Sequence, residues 1–194
     1  MNLDQSYLIF DTETTGLPKN WKAPVSKLDN WPRLVQIAWL QCDNSGNVLA
    51  SSDYIVKPQG FTIPKDAENI HGISTETAMT EGVALKKVLN QFSIAINNSN
   101  FLVAHNMSFD EKIVGAEFLR EDIKNKLFDI SRICTMESST DYCKLPGKYG
   151  YKWPSLSELH YKLFDQYFEE AHNADVDVKA CAKCFFKLKS EGFL

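Results

Sequence analysis

No apolar run in this chain is long enough to cross a bilayer, and no basic start with a long apolar middle marks a signal peptide. A cytoplasmic address without a membrane partner is the resulting expectation. Cysteine is scarce: five residues, an odd number, which fits free thiols better than a disulfide framework. Cys181 and Cys184 form a C-x-x-C pair, but inside an apolar helical pattern, where cysteine serves as a small core residue. A zinc site there would also need Cys134 and Cys143. A basic excess is missing too, since the net charge is −4, whereas nucleic-acid binders usually carry surplus Lys and Arg. That deficit excludes little: a local basic face suffices, and bound divalent cations would offset four carboxylates. With no internal repeat, low-complexity stretch or linker, residues 1–194 read as one domain. Its 44% hydrophobic content is ordinary for a globular protein with a sizeable core.

The pattern then supplies elements. Residues 7–12 read as a buried strand, 16–32 as a loop with three prolines and two tryptophans, and 33–42 and 48–57 as strands around an Asn-Ser-Gly-Asn turn. Three antiparallel strands in succession follow. Residues 64–70 form a short helix before Gly72, and Val83, Val88, Leu89 and Phe92 carry helical spacing to about Ile96. Residues 101–104 are a fourth strand, a helix runs through Phe109, Ile113, Val114 and Phe118, and 127–134 give a fifth strand. Residues 138–154 read as loop, Ser155 with Glu158 as a capping box opening a helix to about Phe164, and Val178 to Leu188 as one face of a last helix. The order predicts an α/β fold with a mixed five-stranded sheet, three antiparallel strands first, and helices on both faces.

Acidic residues stand at the ends of these elements. Asp11 and Glu13, two apart on one strand, leave the same face, with Thr12 opposite and Gly16 turning the chain. Two adjacent carboxylates repel unless a cation lies between them. A solvated acidic turn is the plainer reading, but the continuous Leu8-Ile9-Phe10 run marks a central strand, whose polar end is a common place for a site. Asp110 lies in the first turns of a helix, where the helix dipole alone would favour an acid. Near the last helix, His172 is followed by Asp175 and Asp177, on different helical faces, and spacing does not choose between them; with Glu169 and Glu170 before them, a solvated acidic helix start is also open. Together the segments describe a carboxylate cage for two divalent ions with a histidine to take a proton from water, which is equipment for phosphodiester hydrolysis.

The strings Phe-Asp-Thr-Glu-Thr-Thr-Gly at 10–16, Ala-His-Asn-x-x-Phe-Asp at 104–110 and His-x4-Asp at 172–177 resemble the three motifs of DnaQ-like 3′–5′ exonucleases of the DEDDh group, over nearly the whole chain. The resemblance implies a ribonuclease H-like three-layer fold. It implies that Asp11, Glu13, Asp110 and Asp177 bind two Mg2+ or Mn2+ ions, and that His172 is the general base, selecting Asp177 over Asp175. Asp11 would bridge both ions, Glu13 and Asp177 complete one site, and Asp110 support the other. His105 receives no catalytic role. Asn173 stands where a sister group carries tyrosine.

By the same resemblance Thr14, Thr15, Leu17, His71, Ile73, Asn106 and Phe109 hold the 3′ nucleotide, Leu17 as an apolar wedge. His71-Gly72-Ile73-Ser74 is similar to the family's His-Gly-Ile-Thr segment. The implied partners are a single-stranded 3′ end and a DNA polymerase or other replication or repair protein. The stop at Leu194 points to a self-standing enzyme or one recruited through its surface. The expected reaction is release of nucleoside 5′-monophosphates, from DNA in proofreading or repair, with an RNase T-like or oligoribonuclease-like exoribonuclease as the alternative. Two readings of other classes rank lower. An inactive ribonuclease H-like interaction module should have lost a ligand, and an aspartyl-nucleophile phosphatase needs Asp where Glu13 stands. Lys144, Lys148 and Lys152, interleaved with Tyr142, Tyr149, Tyr151 and Trp153, could track a single strand or form a plain surface loop. Trp21 and Trp31 could stack on bases or pack their loop, with packing favoured for Trp31 beside Pro32.

Overall fold

The computed structural model describes residues 5–168 and 172–194; Glu169 and Glu170 lie outside them. Strand β1 (Tyr7–Thr14) is the centre of the molecule. It pairs antiparallel with β2 (Leu34–Cys42) and parallel with β5 (Phe101–Ala104). Outward from β2 come β3 (Val48–Lys57) and β4 (Val83–Ala84); outward from β5 comes β6 (Ser131–Cys134). The sheet is mixed, as predicted, but six-stranded. The extra strand β4 is only two residues, too short for any period to register, and it lies parallel to the end of β3.

The apolar run of β1 is explained by burial on both faces. Leu8 and Phe10 point to helices α3 (Leu85–Asn97) and α4 (Met107–Arg120), against Phe92, Leu89 and Val114. Tyr7 and Ile9 point the other way, to Val178, Cys181 and Phe185 of α8 (Ala174–Ser190). Each such side chain adds about 1.5–3 kcal/mol on burial. The period of two therefore decides the site: Asp11 and Glu13 continue the α8 face, and Thr12 continues the α4 face. A one-residue slip would exchange them.

Between β3 and α3 lie α1 (Lys65–His71) and α2 (Thr75–Glu81). The second was not expected; Ser74 opens it by accepting the Thr77 N–H. The 138–154 stretch is more ordered than a loop. It follows the short α5 (Thr135–Ser138) and contains α6 (Thr140–Cys143) and a hairpin of β7 (Pro146–Gly147) and β8 (Gly150–Tyr151). The expected capping box of Ser155 and Glu158 opens α7 (Leu156–Phe164). Residues 127–130 fall outside β6, which begins at Ser131.

The loop from Thr15 to Arg33 is held by a buried carboxylate. Glu117 of α4 is fully buried; its Oε1 lies 2.8 Å from Arg33 Nε and 3.0 Å from Arg120 Nη1, and accepts the Leu34 N–H. Arg120 Nη2 also donates to the carbonyls of Leu28 and Trp31. Trp31 is buried and donates to Pro24 O, so it packs the loop. All five cysteines are free. Among the described residues, no helix is long and apolar enough to cross a membrane.

Candidate active site

Three elements deliver acids to the end of β1. Asp11 and Glu13 come from the strand itself, and Asp177 from the first turn of α8; oxygen atoms of the three lie within 4.8 Å of one another. Asp110 arrives from the opposite face, buried, its Oδ1 accepting the Thr12 hydroxyl at 2.7 Å. Thr12 thus ties the fourth acid to the strand that carries the first two. Asp175, the alternative to Asp177, faces away and pairs with Lys179. The start of α8 is pinned: Asn173 accepts the Asp175 N–H, and Gln36 of β2 accepts the Ala174 N–H while donating to Asp53.

No Arg, Lys or His side chain forms an ion pair with these four acids among the described residues. Burial and mutual repulsion therefore favour their protonated forms. Glu13 is pushed up to about 8, first by burial, then by Asp177 and Asp110. Asp11 is raised well above the ordinary carboxylate range by burial and by Asp110, Asp177 and Glu13. Asp110 is pushed up to about 7 by burial, against the Thr12 hydroxyl, which favours the anion. Asp177 is raised by burial, opposed by the His172 backbone N–H on its Oδ2. Its Oδ1 is buried without a hydrogen-bond partner among the described residues. An all-oxygen set with an orphaned carboxylate oxygen fits hard divalent cations such as magnesium or manganese.

Asp11 and Asp177 open into a cleft of about 350 Å³, which is also lined by Leu17, Trp21, His105, Asn106, Phe109, Leu156 and His172. Asn106 and His172 both hold a left-handed backbone, φ 74° each, unusual away from glycine and frequent at sites. His105 is half-buried and held neutral, pushed down to about 4 by desolvation. Its Nε2 must donate to the Pro154 carbonyl at 3.0 Å, so its Nδ1 accepts the Thr135 hydroxyl. It joins three segments.

A family model described as an exonuclease matches residues 8–185. The chain belongs to this exonuclease family. The likeness to DnaQ-like 3′–5′ exonucleases drawn from the three motifs accordingly stands. The chain is 31% identical over 150 residues to the DNA polymerase III epsilon subunit of Buchnera aphidicola subsp. Schizaphis graminum, covering 76% of this chain and 60% of that subunit. It is 27% identical over 183 residues to the PolC-type DNA polymerase III of Streptococcus sanguinis, covering 94% of this chain and 11% of that one. The fold is similar to E. coli exonuclease I in complex with a dT13 oligonucleotide, with a TM-score of 0.76 and 20% identity, over 96% of this chain and 41% of that one. The chain thus spans less than two thirds of each of these proteins.

Against this exonuclease frame the expected nucleotide contacts divide. Leu17, 73% exposed, Asn106 and Phe109 line the cleft. Thr14 and Thr15 spend their hydroxyls on the chain: Thr14 donates to Gly16 O, and Thr15 accepts the Arg33 N–H. His71 and Ile73 are buried and do not line it; Ile73 packs with Val35, Ile63 and Ala78. His71 Nδ1 accepts the Ile73 N–H, and its Nε2 is buried without a hydrogen bond among the described residues. Lys152 is paired with Glu158, which occupies it. Leu156 and His105 were not expected in the cleft. Leu156 opens α7 directly after the Ser155 cap, and nothing in its own spacing marked it as a cleft residue.

Proposed function

We propose that the protein is a metal-dependent 3′–5′ exonuclease that hydrolyses single-stranded DNA from its 3′ end, releasing nucleoside 5′-monophosphates. The carrying observation is the cluster of Asp11, Glu13 and Asp177 within 4.8 Å, with Asp110 beside it, opening into a cleft lined by Leu17 and Phe109. Asp11, Glu13, Asp110 and Asp177 would hold two Mg2+ or Mn2+ ions. Such ions, when bound, supply a nucleophile at neutral pH and stabilise charge on the leaving oxygen. The chain's own residues do the rest. Leu17 and Phe109 present apolar surface to the terminal nucleotide, and the Asn106 amide, which makes no hydrogen bond among the described residues, offers it a polar contact. His172 lines the same cleft, its backbone fixed to Asp177, and takes the proton of the attacking water.

The polymerase III relatives support a place in proofreading or repair and a polymerase as partner. The test is 5′-labelled DNA and RNA strands incubated with magnesium or manganese. DNA should shorten as a descending ladder with mononucleotide product, and not at all in excess chelator. Cleavage of a circular single strand, or undiminished activity in chelator, would refute the reading. His172→Ala should lower kcat by about 10²–10⁴-fold; near-normal turnover would remove His172 from the role of base.

A further inference from the structure

Gln36 of β2 is buried, 3% exposed, and stands directly opposite Glu13 in the β1–β2 pairing. Residues opposite each other on paired strands share a face. Gln36 therefore lies on the α8 side of the sheet, beside a carboxylate of the cluster. The Glu13–Gln36 pair is also the last before the register shifts between Glu13 and Thr14, and such bulges are frequent next to sites, where they re-aim a side chain. Both ends of the Gln36 amide are engaged. Oε1 accepts the Ala174 N–H at 3.3 Å, across 138 residues of chain, and Nε2 donates to Asp53 Oδ1 at 2.8 Å.

Ala174 is the first residue of α8. The first N–H groups of a helix have no partner inside it, and this one docks the helix onto the sheet. His172 precedes it and Asp177 follows it within the same turn, and the His172 backbone N–H closes on Asp177 Oδ2 at 3.0 Å. The docking point thus falls between the two residues that this end of α8 brings to the cleft. Val178, Cys181 and Phe185 hold the helix against Tyr7 and Ile9, but apolar attraction has no direction and fixes axial position weakly. A hydrogen bond has a length and an angle to keep. Sliding α8 by one residue would move Asp177 about 1.5 Å relative to β1, enough to spoil a shared metal site. The amide is the group this place demands. An ionised Glu could not donate to Asp53 and would add a negative charge beside Glu13; a Met of similar length offers no donor and only a weak acceptor.

Resting on the exonuclease reading, we propose that Gln36 is a positioning residue for the hydrolysis: by holding the first N–H of α8 beside Glu13 it sets the placement of Asp177 and His172 against Asp11 and Glu13, and so the affinity for metal and the turnover. Asp53 belongs to the same device, since it fixes which way the Gln36 amide points.

The test is manganese binding to the full chain without nucleic acid, read from free manganese by electron paramagnetic resonance, beside kcat and KM on a 5′-labelled single strand. Gln36→Met should weaken manganese binding or lower kcat at saturating metal by about 10–100-fold, the range for removing a group that orients a metal ligand. KM for the strand should stay near the wild-type value, because Leu17, Asn106 and Phe109 come from other elements. Wild-type manganese affinity together with wild-type kcat in a folded Gln36→Met protein overturns the proposal, and so does a rise in KM alone; a lower melting temperature by itself would mark Gln36 as merely structural. If Gln36→Met does not fold, Gln36→Glu and the double variant Gln36→Glu, Asp53→Asn decide. The single variant sets two carboxylates against each other, and the double restores a donor at position 53, so manganese affinity should fall in the first and recover in the second. Equal affinity in the two overturns the positioning role. Weakened manganese binding in the variant with no nuclease activity in the wild type sinks the exonuclease reading alone. Nuclease activity in the wild type with binding and turnover unchanged in the variant sinks the positioning role alone.

Discussion

Two groups of acids are wholly or partly withdrawn from water, Glu117 of α4 and the cluster of Asp11, Glu13, Asp110 and Asp177, and the chain treats them in opposite ways. Glu117 is fully buried, yet its charge is answered from within by Arg33, Arg120 and the Leu34 amide. Asp11, Glu13, Asp110 and Asp177 are packed together with no guanidinium or ammonium paired to them among the described residues, and all four are shifted toward the protonated form. Both arrangements place carboxylates out of water, at a cost that grows with burial. The first is balanced in charge by the chain's own arginines and holds the loop in place, although Glu117 Oε2 and Arg120 Nη1 are buried without hydrogen-bond partners among the described residues. The second is balanced only by protons or by cations from solution. A structural acid and a metal-binding acid are therefore distinguished by who supplies the positive charge.

The comparison breaks most visibly if its two halves respond alike to mutation. Asp11→Asn should reduce exonuclease activity to the level seen in chelator. Because it removes a mutually repelled charge, it should leave the melting temperature of the metal-free protein level or raised, and abolish most of the metal-induced increase. Melting curves with and without manganese check both; a variant that melts well below the metal-free wild type yet keeps the full metal shift would make Asp11 structural. Glu117→Ala is the mirror case. Removing one partner of a buried ion pair costs about 3–5 kcal/mol, roughly 6–20 °C for a chain of this length, with the metal shift retained. A loss under about 1 kcal/mol by urea titration would mean that the two arginines reach solvent when Glu117 is gone.

The smallest effect sharpens the electrostatics. With Glu13 held at about 8 and Asp110 at about 7 in the fold, both above ordinary carboxylate values, the metal-free folded state binds more protons than the unfolded chain between about pH 5 and 8. Its stability should fall as pH rises through that window. Saturating magnesium or manganese, which favours the ionised acids, should flatten or reverse the slope. Thermal melts at three pH values in chelator decide it: a melting temperature that climbs steadily from pH 5 to 8 would show that the acids are already ionised at low pH.

Much of this was legible in the chain. The β1 run and its period of two placed Asp11 and Glu13 on one face, and the capping box at Ser155 is where expected. Spacing could not choose between Asp175 and Asp177, because both sit in the first turn of α8; the motif chose Asp177, and packing turns Asp175 toward Lys179. Helix α2 was missed because Thr75–Glu81 carries no apolar period, only a cap at Ser74. His105 could not be read as a tether, since its partners Thr135 and Pro154 are 30 and 49 residues away.

The grip of Arg33 and Arg120 on the Thr15–Arg33 loop has a further consequence for how such an enzyme can change over time. The clamp acts at the loop's far half, on Leu28, Trp31 and Arg33, whereas Leu17 and Trp21 meet the cleft from its near half. Substitutions at 17 or 21 can therefore reshape what the cleft admits without loosening the anchor or touching the carboxylates. On the proposed reading, preference among nucleic acids is in this architecture an inheritable property separate from the power to cut them.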